Sequence, residues 1–116
     1  MKIVPFVIPA GTGAGTLYIP VPADMTVLGF AVTPSAVTGC TSTVTLSSGS
    51  TAVGTAAIAS DTAAAAIITA TMNATLATRK TKLTSAIPLK VAVDARTNST
   101  AIFGSVWLDE FALQRD

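Results

Sequence analysis

Three carboxylates near the end of the chain have the clearest capacity for chemistry. Asp94 ends the apolar run 87–94, and Asp109 and Glu110 end the run that begins at residue 101. If the two runs pair as antiparallel strands, these side chains come close enough to act as a paired acid and base or to bind a hard cation. Acidic residues at strand ends more often simply face solvent. We therefore predict no metal site and no cofactor.

Other reactive side chains are scarce. The chain contains no histidine and one cysteine, Cys40, so no serine has an evident base and the chain has no internal disulfide. Residues 11–15 (GTGAG) lack the Gly-Lys-Ser/Thr ending of a phosphate-binding loop, and we interpret them as a hinge. We predict that the protein is not an enzyme.

Composition indicates a protein that binds other proteins. Half of the 116 residues are apolar, 11% are charged and forty are Ala or Thr. A surface made largely of Ala, Thr, Ser and Gly allows close approach of another protein, so we expect burial against copies of the chain or in a large assembly. The net charge of +1 does not indicate a nucleic-acid partner. The longest charge-free windows are broken by polar residues, so we predict no transmembrane helix.

One basic cluster, formed by Arg79, Lys80 and Lys82, interrupts this pattern. It has two interpretations: contact with an acidic surface, or a solvated loop that keeps a weakly charged protein soluble.

Strand signals recur along the chain. Residues 41–47 and 51–58 flank a Ser-Gly-Ser turn and predict a hairpin. Residues 87–94 place Leu89, Val91 and Val93 on one face, and we expect this run to pair antiparallel with residues 101–109.

The rest of the chain follows the same pattern. Runs 16–21 and 25–32 flank a proline-led turn, whereas residues 61–78 predict either a short helical turn or a strand. Residues 1–15, broken by Pro and Gly, predict an extended N-terminal arm. We therefore predict an all-β fold, an antiparallel β-sandwich formed by residues 16–116 as one domain. Phe103 and Trp107 share one strand face, which we expect to be core.

Several phrases together resemble small β-sandwich structural proteins of tailed bacteriophages, particularly head decoration or cement proteins. These phrases are VPADM (21–25), TVTLSSG (43–49), AVGT (52–55), PLKVAVD (88–94) and GSVWLDEFAL (104–113). The resemblance implies a jelly-roll-like sandwich, a homotrimer, and a place on the outer surface of the capsid after synthesis in the host cytoplasm. It also implies that the protein binds across major capsid subunits, and it carries over no catalytic residue.

On this interpretation, the arm and the basic cluster contact the capsid or a neighbouring subunit. The predicted contact residues are Lys2, Ile3, Val4, Phe6, Arg79, Lys80 and Lys82. Two alternatives are a phage fibre or surface carbohydrate-binding module, which needs an exposed aromatic patch, and a metal-assisted hydrolase that uses the three carboxylates. One Trp and one Tyr count against the first alternative, and the absence of His makes the second the weakest.

Overall fold

Alternating apolar side chains build strands throughout the part of the chain that the structure describes. The computed structural model describes residues 2–20, 25–49, 51–72, 82–83 and 88–109, and these residues contain no helix. The strands are β1 (Lys2–Ile8), β2 (Gly15–Ile19), β3 (Met25–Pro34), β4 (Ser42–Ser48), β5 (Thr51–Ile58), β6 (Ile68–Thr69), β7 (Thr71–Met72), β8 (Lys82–Leu83), β9 (Leu89–Val93) and β10 (Ile102–Asp109). A search of the same residues for a helix able to cross a membrane accordingly finds none.

The strands form two antiparallel sheets. Sheet A has the order β1-β10-β3-β6, and β8 also pairs with β3. Sheet B has the order β2-β9-β4-β5-β7. Apart from β4 and β5, consecutive strands lie in opposite sheets, so most connections cross from one sheet to the other.

The core lies between the sheets and is formed by every second residue of each long strand. In sheet B, β4 and β9 alternate between buried and half-buried positions, as expected for strands with one face on a core. Burial of each Val, Leu, Ile or Phe contributes about 1.5–3 kcal/mol. The buried apolar residues are Phe6, Ile8, Ile19, Val27, Phe30, Val32, Val44, Leu46, Val53, Ala56, Ile58, Leu89, Val91, Val93, Ile102, Val106 and Leu108. The predicted all-β antiparallel sandwich is confirmed.

The hairpin predicted from residues 41–58 is confirmed as β4 and β5. Their register runs from Ser42 opposite Ile58 to Ser48 opposite Thr51, with a shift after Leu46. Gly49 in the turn has φ of 60°, a conformation that glycine adopts without steric cost.

The predicted pairing of residues 87–94 with residues 101–109 is wrong. β9 pairs with β2 and β4 in sheet B, whereas β10 pairs with β1 and β3 in sheet A. Each strand has a fully buried apolar side, and the two sides face each other across the core from opposite sheets. The turn-rich segment between them therefore crosses the sandwich and does not close a hairpin.

The extended arm predicted for residues 1–15 is not confirmed. Residues 2–8 pair with β10 along their whole length as the edge strand of sheet A, and Phe6 and Ile8 lie in the core. Pro5 is compatible with this position, because an edge strand can point the missing N–H away from its neighbour. The residues that suggested an arm thus belong to the sandwich.

In the described part of residues 61–78, residues 61–67 form turns and irregular chain, and only residues 68–69 and 71–72 form short strands, with no helix. β6 pairs with β3, and β7 pairs with β5, so this segment contributes to both sheets. Residues 73–78 lie outside the described residues.

One buried side chain, Arg96, joins two chain crossings at the same end of the sandwich. Its Nε donates to the carbonyl oxygen of Gly13 at 3.0 Å. Its Nη1 donates to the carbonyl oxygens of Pro9 at 2.8 Å and Thr100 at 2.6 Å. Backbone bonds from Gly13 N to Arg96 O and from Thr100 N to Gly11 O reinforce the contact. The connection from β1 to β2 is thereby tied to the connection from β9 to β10.

Gly15 makes room for this arginine, whereas Gly11 lies at ordinary contact distance from it. A Cβ atom on Gly15 would lie 2.8 Å from Arg96 Nη2 and 3.0 Å from Ile8 Cγ2, and one on Gly11 would lie 3.6 Å from Arg96 Nη2. A side chain at residue 15 would therefore displace the guanidinium. Close packing accounts for Gly15, where the sequence suggested a hinge.

Replacement of Arg96 tests this tie. We expect Arg96→Met to lower the free energy of unfolding by about 3 kcal/mol, because three charge-assisted hydrogen bonds are lost and the buried Thr100 carbonyl is left without its donor. Lys90→Met, at a half-buried position on the outside of sheet B, is the control and should change stability by less than about 0.5 kcal/mol. Urea unfolding followed by Trp107 fluorescence measures both. Equal stability of the two variants would contradict the role assigned to Arg96.

Ala65 provides a second test, because it has φ of 66°. The left-handed conformation costs a residue with a Cβ about 1–2 kcal/mol, while Gly loses about 0.5–1 kcal/mol more conformational entropy on folding. We expect Ala65→Gly to raise the free energy of unfolding by up to about 1 kcal/mol. The control is Ala64→Gly, at the preceding residue, which has no positive φ. This substitution should lower the free energy of unfolding or leave it unchanged. A loss of stability in Ala65→Gly as large as that in Ala64→Gly would refute the expectation.

Candidate functional site

The outer side of sheet A exposes large apolar side chains. Successive side chains of a strand point to opposite faces, so burial of Phe6 and Ile8 turns Ile3 and Val7 outward. Ile3 is 57% exposed, Val7 is 49% exposed, and Phe103 on the neighbouring strand is 43% exposed. Two adjacent strands thus present apolar side chains on both of their faces.

The strand register joins these side chains into rows across the sheet. Val7 lies opposite Phe103, which in turn lies opposite Thr33. Ile3 lies opposite Trp107. Opposite residues on one face have Cβ atoms about 4.5–5.5 Å apart, so the side chains within each row contact each other. Pro5, Ser105 and Ala31 form the row between these two.

The expectation that Phe103 and Trp107 belong to the core is wrong. The core positions of β10 are Ile102, Val106 and Leu108, so the two aromatic residues lie on the opposite face. Trp107 is half-buried, and a Cβ atom added to Gly29 would lie 2.9 Å from its Cε3 atom. The indole ring therefore contacts the glycine, on the outside of the sandwich.

A shallow groove runs along one side of this surface. Its volume is about 280 Å³, at the lower end of the range of about 300–1,000 Å³ typical of small-molecule pockets. Beside it, Ile67 is 79% exposed. The groove is lined by Ala31, Val32, Thr33, Ile67, Phe103, Gly104 and Ser105.

None of the outward positions 3, 5 and 7 of β1, 29, 31 and 33 of β3, and 103, 105 and 107 of β10 holds a charged residue. We call these nine positions together with Ile67 the apolar face. Its residues are Ile3, Pro5, Val7, Gly29, Ala31, Thr33, Ile67, Phe103, Ser105 and Trp107.

The outer side of sheet B differs in chemistry. Its half-buried and exposed positions are mostly hydroxyl-bearing, with one charged side chain, Lys90, and one exposed aromatic ring, Tyr18, at 62% exposure. The hydroxyl-bearing positions are Thr16, Thr43, Thr45, Ser47 and Thr55. The hydroxyl groups on the outer side of sheet B can hydrogen-bond to water, whereas few side chains of the apolar face can do so. The two sides of the sandwich therefore suit different neighbours.

The structure separates the predicted contact residues of the N-terminal segment. Ile3 is exposed on the apolar face, whereas Val4 is partly buried against the core and Phe6 is a core residue. The Phe6 side chain is thus not on the surface of the folded chain. Lys2 begins β1, where its backbone lies opposite Leu108.

The basic cluster falls mostly outside the described residues. Arg79 and Lys80 lie outside them, and the backbone of Lys82 lies in β8, opposite Thr26 of β3. The segment that carries the cluster therefore returns to sheet A, the sheet that carries the apolar face.

The strand pairing that was expected to bring the three carboxylates together is not found. Asp94 Oδ1 accepts a hydrogen bond of 2.8 Å from the backbone N–H of Thr43. Asp94 begins the connection that leads to Ile102, the first residue of β10. Asp109 is the last residue of that strand, about 24 Å from Ile102, and Glu110 lies outside the described residues. The premise of the site, pairing of the last two strands, is wrong. Within the described ranges, no three His, Cys, Asp or Glu residues form a group that could hold a metal ion.

The apolar face has a signal in the sequence. A strand with one solvated side alternates apolar and polar residues, but β1 reads KIVPFVI and β10 reads IFGSVWLD, with apolar residues in both phases. Such a strand has an apolar outer side. Periodicity alone does not say whether a second layer of the same chain covers that side.

Comparison of the chain with family models, with curated proteins and with solved structures found no match. The resemblance to phage head decoration proteins therefore stays a prediction.

The contact between Trp107 and Gly29 can be tested optically, because Trp107 is the single tryptophan of the chain. A methyl group at residue 29 meets the indole ring at 2.9 Å and 3.0 Å. We expect Gly29→Ala to displace the ring, to shift the fluorescence emission to longer wavelength and to destabilise the fold by about 1–3 kcal/mol. Ala57→Thr, on the exposed side of sheet B, is the control. An emission spectrum in Gly29→Ala that matches this control would show that the ring does not rest on Gly29.

Proposed function

We propose that the protein is a structural protein of a virion. In this proposal it is a head decoration or cement protein that lies on the outer surface of a phage capsid, binds across major capsid subunits, stabilises the head and performs no catalysis. The observation that carries the proposal is the apolar face: an uncharged sheet surface that exposes four large apolar side chains, Ile3, Val7, Ile67 and Phe103.

An exposed apolar surface of this kind supports a role in assembly. The largest apolar patch on a typical soluble monomer covers about 300–600 Å² and is often a functional surface. The groove beside Ile67 is open and small, which suits side chains of a protein partner better than an enclosed substrate. Both features favour a binding protein over an enzyme.

The strand order supports the jelly-roll-like part of the proposal. The seven strands of five or more residues divide into β1-β10-β3 in sheet A and β2-β9-β4-β5 in sheet B, and three strands of two residues complete the sheets. A jelly roll has eight strands in two sheets, with successive strands exchanged between the sheets as β1 to β4 are here, and viral capsid domains are among its best-known uses. Because lectin domains also use this architecture, fold alone does not decide the function.

Assembly on a capsid explains how a small contact surface can be enough for stable binding. A protein that binds only the assembled shell stabilises it by mass action, and many identical weak contacts add through avidity. The proposed homotrimer suits a threefold position on the shell, since closed cyclic symmetry matches that of the site. Ile3 and the segment of Arg79, Lys80 and Lys82 stay proposed contacts, whereas Phe6 serves the core.

The alternative, a fibre or carbohydrate-binding module, needs aromatic side chains that form one platform. The two exposed rings, Tyr18 and Phe103, lie on opposite sheets. Trp107 shares a face with Phe103 but is half-buried against Gly29, so no two exposed rings of the described chain form a platform. The face geometry therefore favours the structural role.

The proposal is tested on purified particles of the virus that encodes the chain. After heads and tails are separated on a density gradient, quantitative mass spectrometry should detect the chain in the head fraction, in a fixed ratio to the major capsid protein. Heads that lack it should release DNA at a lower temperature, and added protein should restore the wild-type temperature. Recovery in the tail fraction would favour the fibre alternative, and absence from both fractions would refute the proposal.

Deletion of the N-terminal segment is unsuitable as a test of capsid contact. It removes the core residues Phe6 and Ile8 together with the Pro9 carbonyl that binds Arg96. Single substitutions at exposed positions of the apolar face leave the core intact and are the better probes.

A further inference from the structure

We infer that Arg96 forms a binding site for an oxyanion, at the end of the sandwich where residues 9–14 cross from β1 to β2. The ligand is a carboxylate or phosphate group, one oxygen of which accepts a hydrogen bond from Nη2 of Arg96. This inference goes beyond the proposed function and does not depend on it, because it rests on the hydrogen-bond donors and the charge of one side chain and not on the apolar face.

The donors of Arg96 are only partly used. A guanidinium has five N–H donors. One on Nε and two on Nη1 donate to the backbone carbonyl oxygens of Gly13, Pro9 and Thr100. The other two are on Nη2, which has no hydrogen-bond acceptor among the described residues. Nη2 can therefore donate to an oxygen atom from outside the chain.

The positive charge of Arg96 is not balanced within the described chain. Arg96 is 6% exposed, and arginine is seldom buried to this extent without a carboxylate partner. Its acceptors are neutral carbonyl groups, and no described carboxylate is hydrogen-bonded to it. Asp94, two residues away, accepts from the backbone N–H of Thr43 instead. Because burial weakens screening by water, an anion is attracted more strongly here than by an arginine in solution.

Nη2 can be reached from outside the fold. Thr33 Oγ1 is the one side-chain nitrogen or oxygen atom of the described residues that is buried and has no hydrogen bond. Nη2 also lacks a hydrogen bond, so it must retain contact with solvent. A Cβ atom built on Gly11 would meet Nη2 at 3.6 Å and, apart from its neighbours in the chain, no other atom within 4 Å. The space beside Gly11 therefore admits an oxygen atom at hydrogen-bond distance from Nη2.

The surroundings of this space suit an anion. The two crossing segments, residues 9–14 and 95–101, contain no acidic residue, and Arg96 is their one charged residue. An anion that approaches along either segment therefore meets no like charge. Hydrogen bonds from a guanidinium to carboxylate or phosphate oxygens are short and about twice as strong as those between neutral groups, so the site favours an oxyanion over water.

Thermal unfolding in the presence of added anions tests the site. Sodium chloride is replaced stepwise by sodium phosphate or sodium acetate at constant pH and ionic strength, and unfolding is followed by Trp107 fluorescence. One charge-assisted hydrogen bond corresponds to a dissociation constant on the order of 10 mM. About 50 mM phosphate should then raise the midpoint temperature by roughly 5 °C, and the rise should saturate.

A matched pair of variants separates binding from the general effect of salt. Phosphate also stabilises proteins because it is excluded from their surface, an effect that does not saturate. Gly11→Ala places a methyl group in the space beside Nη2 at ordinary contact distance, whereas Thr12→Ala, at the exposed next residue, leaves that space open. We expect Thr12→Ala to keep the saturable rise and Gly11→Ala to lose it. An equal rise in the wild type and Gly11→Ala, or no saturable rise in the wild type, would overturn the inference.

NMR of the arginine side chains gives a second measurement that changes nothing at the site. The chain has three arginines, and Arg79→Lys combined with Arg115→Lys leaves Arg96 as the only one. Its Nε–H signal should shift as phosphate is added and should follow the same saturation curve as the midpoint temperature. A signal that stays unchanged over this range of phosphate would overturn the inference, whether or not Gly11→Ala folds.

The two anions distinguish the sources of the oxyanion. Saturation with both phosphate and acetate would assign the site to oxyanions in general, including the side-chain carboxylates of a partner protein. Saturation with phosphate alone would assign it to phosphate groups. Neither result bears on the presence of the chain in phage heads, so this inference and the proposed function can fail separately.

Discussion

The guanidinium of Arg96 holds together the end of the sandwich at which the chain passes twice between the sheets. Its three hydrogen-bond acceptors are the backbone carbonyl oxygens of Pro9, Gly13 and Thr100. The guanidinium therefore needs no side chain of the neighbouring loops as an acceptor. A charged group can remain buried when hydrogen bonds replace its water. One arginine thereby sets the path of the strand that opens the chain and of the strand that follows residue 101.

The apolar face depends on that arrangement. The tied crossings place β1 and β10 side by side in sheet A, and these are the two strands with apolar residues in both phases. With their inner sides in the core, the outer sides have no further layer of the described chain to cover them. A chain with few charged residues thus concentrates exposed Ile, Val and Phe on one sheet, while threonine covers the other. This asymmetry links the fold to a role in assembly.

Sequence patterns predicted the parts of the fold that depend on neighbours in the chain. The β4–β5 hairpin follows from alternation around a glycine turn, and Leu89, Val91 and Val93 are buried on one face as their spacing indicated. Predictions failed where the pairing of a strand depends on segments that are distant in sequence. β9 and β10 could have paired with each other by local criteria, but each gains more by lining one side of the core. Packing on the core also decided which predicted contact residues lie on the surface: Ile3 is exposed, whereas Phe6 is buried.

The sequence by itself determined an all-β chain, the alternation along its strands, and a surface poor in charge, because side-chain type and period are local properties. Only the tertiary structure decided which phase of β1 and β10 faces inward, which sheet each strand joins, and why Gly15 must lack a side chain. Those choices depend on burial and on hydrogen bonds between residues as distant in sequence as Pro9 and Arg96. No period along the chain encodes such contacts, since they arise only when both sheets close around one core.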